Sequence, residues 1–483
     1  MTRAGDLSLT HSCSAVPEGP ADYSADPSGA ANLDPDRREA LTLAVADLMP
    51  AVLADLDALA RIPSISSAAF DAAPVAASAA AVARLLTQEG LITQVVSAGG
   101  HPAVIGRLDG PQGAPRVLLY AHHDVQPASD DGWDTPPFEP TRRGDRLYGR
   151  GIADDKAGVL AHVAAIRAHR RLDTGLPVSV IVFVEGEEET GSATLPALLA
   201  EHREALDCDV IVLADSMNWS VGTPALTTML RGLVQAVVTV RALHHGVHSG
   251  MFGGPVPDAV TAMCRLLSRL HHPDGTVAVP GLIASDDATF DYPEAALRLD
   301  GAVPDEVSLL GTGSLVSRLW TKPAVTVTGI DVPDVAHAVN VLQPACRAMV
   351  SLRIAPAQDP QSAFDALAEH LRADPPWGVA VDVEMADLAP GFEVVRSGPY
   401  VEAARTSFTD AWGVPPVDIG VGGSIPFVAE FAERFPGAAI LVTGVEDPDT
   451  RAHGSNERLH VGEFQRACLA EALLLERFGG LAP

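Results

Sequence analysis

The amino-acid sequence predicts an α/β protein with a mostly parallel central sheet flanked by helices, interrupted by an inserted α+β domain of ferredoxin-like pattern. Three observations predict it. Short β-branched runs alternate with helical segments between about residues 90 and 215. Near Thr227 the pattern changes to two strands per helix, twice over, the mark of an antiparallel sheet with helices on one face. A helix, a strand and a C-terminal helix then restore the first pattern, so the middle segment reads as an insertion. The predicted boundaries are a flexible extension over 1–36, a first domain in two parts, 37–226 and 394–483, and an inserted domain over 227–393.

Residues 1 to about 36 are rich in Ala, Pro, Ser, Gly and Asp without periodicity and read as a mobile arm. Leu41, Val45, Leu48, Val52, Leu56 and Leu59 then recur at helical spacing, and Ile62-Pro63-Ser64 ends that helix. A second helix is expected over 74–89, followed by strands over 91–97 and 103–108. A buried strand from Val117 runs into His122-His123-Asp124. Next come a helix with an apolar face of Val159, Leu160, Val163 and Ile166, and strands over 178–184 and 210–213. In the insertion, strands are expected over 233–240, 324–330, 346–354 and 379–385. One helix there is capped by Asp258 and carries Met263, Leu266 and Leu270; another carries Phe364, Leu367 and Leu371. The Asp-, Gly- and Pro-rich stretch up to about Trp320 reads as loop. Phe464, Cys468, Leu469 and Leu473 mark the last helix.

Composition narrows the function. With 33 basic against 62 acidic residues the formal charge is −29, which excludes a nucleic-acid partner, because phosphate backbones are held by clustered Lys and Arg. The acidic excess belongs to solvated faces or to a metal site. Five cysteines, scattered without CxxC spacing and odd in number, make no disulfide framework, and a reducing cytoplasm fits them. No apolar run approaches the roughly 20 residues of a membrane span, and the first residues lack a basic segment followed by an apolar core, so neither membrane insertion nor export is expected.

Several polar clusters stand where strands end. His122 and Asp124 are two residues apart on an extended chain, which puts both on one face, where an imidazole can ligate a metal and a carboxylate can orient it. Taken alone, the pair is more often structural. Asp154-Asp155 alone reads as a helix N-cap with a solvated neighbour, or as a pair held by cations. Glu185, Glu187, Glu188 and Glu189 follow an apolar strand directly; a solvated acidic turn is the bland reading, but four carboxylates there are hard to tolerate without bound metal. Asp215 closes the strand over 210–213, where a turn or cap would be the ordinary role, and His453 alone is an exposed loop histidine. The joint pattern is more specific than any member. Two imidazoles and three or more carboxylates at strand-end loops form a hard-ligand set for two divalent ions sharing one bridging carboxylate.

On these residues the chain resembles the M20 metallopeptidases, and within them the cytosolic dipeptidase branch that includes carnosine dipeptidases, from about residue 40 to the C-terminus. The motifs that carry the likeness are His122-His123-Asp124-Val125-Gln126-Pro127, Asp131-Gly132-Trp133, Leu147-Tyr148-Gly149-Arg150-Gly151, Asp154-Asp155-Lys156, Glu188-Glu189 and Gly422-Gly423-Ser424-Ile425-Pro426. The resemblance implies two divalent ions per subunit, zinc first, with manganese or cobalt as alternatives. It assigns His122, Asp154 and Asp215 to one ion and Asp154, Glu189 and His453 to the other, Asp154 bridging, with a cis peptide after Asp154. Asp124 would orient His122, and Glu188 would be the general base that takes a proton from a metal-bridging water. His248 matches the histidine that reaches across a homodimer, formed through the inserted lid domain, to polarise the substrate carbonyl. Arg353 would grip the substrate carboxylate, with Asn340 and Ser424 completing that pocket. His123 points to the opposite face and is expected to pack.

The function expected is a dipeptidase that cleaves dipeptides or short peptides with a free C-terminus. An N-acyl-amino-acid amidohydrolase on the same scaffold is the alternative, since both reactions attack an amide next to a carboxylate. A non-catalytic interaction protein predicts loss of ligands or of the base, whereas His122, Asp154, Glu188, Glu189, Asp215 and His453 are all present.

Overall fold

The central strand Arg116–His122 is buried almost throughout, and its side chains divide strictly by parity. Val117, Leu119 and Ala121 enter one apolar layer, Leu118 and Tyr120 the other. The strands Ser179–Glu185 and Val210–Leu213 divide the same way, which is why their sequences read as continuous apolar runs rather than alternating ones. These strands belong to a computed structural model that describes residues 33–481 apart from 130, 173–174, 287–290, 395 and 423–425. The expected N-terminal extension, up to residue 32, and Ser424 therefore lie outside the described residues.

Among the described residues the large sheet has nine strands. Its path runs Ile92–Val96, Ala103–Leu108, Ser179–Glu185, Arg116–His122, Val210–Leu213, Ala439–Val442, Ala225–Leu230 and Phe392–Glu393, with Val417–Val421 also paired to Ala225–Leu230. It is not mostly parallel, as the sequence suggested, but mixed: the centre is parallel, while antiparallel pairs flank it on both sides. The reason is connection length. The first two strands form a hairpin, and Ala225–Leu230 follows Val210–Leu213 without a crossover helix, whereas a parallel neighbour needs one. Helices Pro35–Ala60, Lys156–Arg171 and Val461–Phe478 cover one face, and Leu195–Glu201 and Pro426–Arg434 border the other.

A separate four-stranded sheet takes the order Ala324–Asp331, Ala345–Ile354, Gly232–Arg241, Ala380–Ala389, antiparallel throughout. Helices Ala259–Leu267 and Pro360–Arg372 pack on it over their own apolar core, built on Val234, Val238, Met263, Leu266, Val350, Leu352 and Leu367. Asp258 caps the first helix by accepting from the Thr261 amide. The chain enters this unit past Arg231 and leaves it near Gly391, since Leu230 and Phe392 still pair within the large sheet. The strand Ala225–Leu230, which spans residue 227, pairs within the large sheet. The segment read as loop contains two short helices, Glu294–Asp300 and Leu315–Trp320, too brief to generate an apolar period. No helix of the described residues is long and apolar enough to cross a membrane.

Candidate metal centre

Strands Arg116–His122, Ser179–Glu185, Val210–Leu213 and Ala439–Val442 run parallel, so their carboxyl ends open on one edge of the sheet. That is where open α/β sheets bind ligands. The loop after the second of these strands approaches its neighbours very closely: a Cβ on Gly186 would come within 2.3 Å of the Pro102 carbonyl oxygen, so only glycine fits. The short turn Glu188–Thr190 follows and closes on Gly191 at φ +89°. A Cβ on Gly444 would likewise lie 1.5 Å from the Ser216 carbonyl oxygen, which ties the loop leading to His453 against the segment after Asp215.

Asp154 sits at the centre. Its Oδ1 is 3.1 Å from His122 Nε2, and its Oδ2 is 3.0 Å from His453 Nε2. Asp215 comes within 3.8 Å of the same His122 nitrogen, and Glu189 within 3.2 Å of the His453 nitrogen. Two donor groups result, His122–Asp154–Asp215 and Asp154–Glu189–His453, the ligating atoms of each lying within 4.8 Å of one another and Asp154 belonging to both. Imidazole and carboxylate in this number and spacing suit divalent transition ions, so the residues fit the dinuclear site expected of them.

Electrostatics point the same way. Two carboxylates about 5 Å apart repel by about 3 kcal/mol at an effective dielectric of about 20, and Asp154 faces both Asp215 and Glu189 at that range. Burial, with repulsion from Asp154 and Glu189 added, pushes Asp215 up to about 7. Glu188 lies 3.9 Å from His122 Nε2, and burial lifts its carboxyl well above the ordinary range; His122 opposes that rise, while Asp215, Glu189 and Asp154 reinforce it. The hydrogen bonds to Asp154 and Glu189 raise His453 to about 11.

The surroundings hold these groups in place. Asp124 accepts from the backbone amides of Glu188 (3.2 Å) and Glu189 (3.1 Å), so it fixes the acidic turn, while His122 Nδ1 meets the Asp124 carbonyl oxygen at 3.1 Å and its Oδ1 at 3.4 Å. Asp155 does not cap its helix: Oδ2 turns back to the His122 amide at 3.1 Å, and the carboxylate is buried. The peptide between Asp154 and Asp155 is cis, as the resemblance implied. His123 packs against the other face, with Nε2 2.9 Å from the Pro102 carbonyl, and burial lowers it to about 4.

Among the described residues, other anticipated residues form no hydrogen bond or ion pair with this cluster. His248 and Asn340 are brought together by a two-stranded ribbon, Val247–His248 against Val341–Leu342, and the Asn340 carbonyl accepts from the Ser249 amide. Both are exposed, and His248 Nδ1 accepts from the Gly250 amide. Arg353 is half-buried on Ala345–Ile354, with no hydrogen bond or ion pair among the described residues, and burial lowers its pKa. Three supporting residues were not singled out from the sequence. Gln126 donates to Glu189 from its amide and its side chain, and Arg150 pairs with Glu457 at 2.6 Å. All three stand inside or beside motifs noted above, but spacing alone gives no sign of what they hold.

Two abutting imidazole–carboxylate groups at the carboxyl edge of an α/β sheet are candidate ligands for a pair of divalent ions, an arrangement of the metallohydrolase class. The chain belongs to Peptidase family M20/M25/M40, whose model matches residues 118–477. It is 34% identical over 391 residues to a cysteinylglycine-S-conjugate dipeptidase of Corynebacterium striatum, covering 78% of this chain and 86% of that protein. It is 29% identical to the Beta-Ala-His dipeptidase of Rattus norvegicus, over 78% of this chain and 80% of that protein. In fold it is similar to human carnosine dipeptidase 1, at TM-score 0.80 and 24% identity, over 93% of this chain and 100% of that one.

These shifted proton affinities imply a pH dependence. Asp215 in the folded protein keeps its proton up to about 7 against an ordinary 3.8, and His453 keeps its proton up to about 11 against 6.5. Both groups therefore bind protons in the folded state that the unfolded chain has lost, so both remove stability as pH rises through those windows. The chelated protein is expected to melt at a lower temperature at pH 8 than at pH 5.5, with added zinc raising the melting temperature more at pH 8. Differential scanning fluorimetry with and without chelator checks this; a zinc effect that is equal or larger at pH 5.5 contradicts it.

Proposed function

We propose that this protein is a two-metal dipeptidase acting on dipeptides or short peptides with a free C-terminal carboxylate. The observation that carries the reading is Asp154, whose two oxygens face two imidazoles from opposite ends of the chain and so join two ligand groups through one carboxylate. The dipeptidase names of its relatives support the substrate class over the N-acyl amino acids.

In this reading His122, Asp154 and Asp215 hold one ion and Asp154, Glu189 and His453 the other. The pair of ions, when bound, supplies Lewis-acid activation of water and of the scissile carbonyl. Glu188 takes a proton from the attacking water at its carboxylate and hands it to the departing amine nitrogen as the C–N bond breaks. Its raised proton affinity suits both halves of that transfer. Asp124 keeps Glu188 and Glu189 in register through their amides. Arg353, half-buried and without an ion pair among the described residues, offers a fork for the substrate carboxylate. Ser424 and Asn340 are assigned to the same pocket by resemblance.

His248 would serve a neighbouring subunit. It is exposed and makes no contact with the cluster of its own chain among the described residues, and the unit that carries it offers an open edge strand, Ala324–Asp331, with Ile330, Val332, Val335 and Val339 exposed beside it. We therefore read that unit as a lid and homodimerisation domain. Free Cys208, Cys264, Cys346 and Cys468 support a reducing, cytoplasmic setting.

A panel of dipeptides and N-acyl amino acids, assayed with zinc, manganese or cobalt, tests the activity. Hydrolysis of the dipeptides is expected, and Glu188→Ala is expected to lower turnover by about 10²- to 10⁴-fold while metal content stays unchanged. Hydrolysis of the acylated set alone would refute the dipeptidase reading. Sedimentation velocity tests assembly: a dimer is expected, with Val335→Asp shifting it toward monomer, and a monomeric wild type at micromolar concentration overturns the lid-dimer assignment.

A further inference from the structure

We infer that the buried ion pair Arg150–Glu457 is a positioning device for the second ion site, holding His453 and Asp154 in register from two distant stretches of chain. This rests on the assignment of those two residues to that site. The Glu457 carboxylate accepts from Arg150 Nη1 at 2.6 Å and from the amides of Gly151 (3.1 Å), Ala153 (3.1 Å) and Asp154 (3.3 Å). Arg150 Nη2 in turn donates to the carbonyl oxygens of His453 (3.0 Å) and Gly454 (3.2 Å). One side of the pair therefore grips the backbone entering Asp154, and the other grips the backbone at His453.

The grip matters because the His453 turn carries strained backbone and closes on itself through the bond from the Gly454 amide to the Arg451 carbonyl at 2.9 Å. Arg451, His453 and Asn456 adopt φ of +59°, +62° and +59°, a region that non-glycine residues occupy rarely and only when neighbours over-determine it. The remaining restraints include the Gly149 amide on the Glu457 carbonyl at 3.0 Å and the Ser455 hydroxyl on the Asp131 carbonyl at 3.5 Å. Asn456 accepts from the Asp134 amide and donates to the Gly132 carbonyl, and Trp133 between them lies 5.6 Å from the Arg150 guanidinium carbon. His453 itself is exposed, so packing does not place its ring. His122, by contrast, is buried at the end of a central strand and needs no such clamp.

The asymmetry gives a site-selective expectation. Only Asp154 is common to both sites, and only the second contains His453, so loss of the Arg150 grip weakens the second site far more than the first. Partners that hold a ligand are worth about 10- to 100-fold in metal affinity.

The test uses the full chain, stripped by chelation and titrated with Zn2+ or Mn2+ by calorimetry, with bound metal counted by mass spectrometry. Wild type is expected to take two ions. Arg150→Ala is expected to keep one near wild-type affinity and to bind the other about 10- to 100-fold more weakly. Arg150→Lys retains the charge facing Glu457 but lacks the second donor arm, so it guards against a folding failure of the alanine variant and is expected to show the same selective loss. Arg167→Ala, which removes an ion pair to Glu89 and Asp55 remote from the centre, serves as the stability control and is expected to take two ions. Two ions of wild-type affinity in the Arg150 variants, or equal weakening of both, overturns the inference. A wild type that binds fewer than two ions instead refutes the dinuclear reading on which it rests.

Discussion

The structure depends on one electrostatic constraint: the parallel centre of the sheet gathers its strand ends at one edge, where their carboxylates meet Asp154, which precedes the helix Lys156–Arg171, and all of them repel one another. Asp154, Glu188, Glu189 and Asp215 converge around two imidazoles, and a cost of about 3 kcal/mol per close carboxylate pair is large beside a net folding stability of about 5–15 kcal/mol. In the absence of cations, burial and mutual repulsion raise the proton affinity of Glu188 and Asp215. The two divalent ions proposed for the site would relieve the repulsion directly. Site and fold are thus coupled, because the parallel centre that creates the repulsion also fixes the geometry that two ions can satisfy.

Much of the remaining architecture serves to keep that geometry from relaxing. Asp124 and Gln126, just past the strand bearing His122, reach the backbone or side chains of Glu188 and Glu189. Asp155 returns to the His122 amide, so adjacent acids have opposite tasks, one facing the imidazoles and one anchoring the strand. Beneath the sheet His162 bonds Glu471 and the Tyr120 carbonyl, bracing the same strand from the helix side. Lys156 donates to the Leu59 and Ile62 carbonyls, tying the end of the first helix to the start of the helix that follows Asp155.

The parts of this legible in sequence are those governed by local periodicity or by position at a strand end. The run from Val117 to His122 announced a central strand because both faces of it are buried, and the acids and histidines were conspicuous because an apolar strand rarely ends in so many. Strand order was not legible. The mixed character of the sheet arises from how Ala225–Leu230 and the first hairpin pair, which no local pattern encodes. Nor was the Arg150–Glu457 pair, whose members are 307 residues apart and unremarkable singly. Asp155 was misleading, since a carboxylate at a helix start ordinarily caps it, and here a tertiary donor, the His122 amide, outcompetes the cap. His248 and Arg353 show the opposite limit: sequence likeness names them, while among the described residues neither bonds to the cluster.

The most direct test of the account is anomalous diffraction from crystals of the zinc-loaded protein, measured on either side of the zinc absorption edge. Two peaks about 3.5–4 Å apart, with one Asp154 oxygen toward each, are predicted. A single peak, or two with Asp154 bound to only one of them, would contradict the claim that this carboxylate joins the two sites.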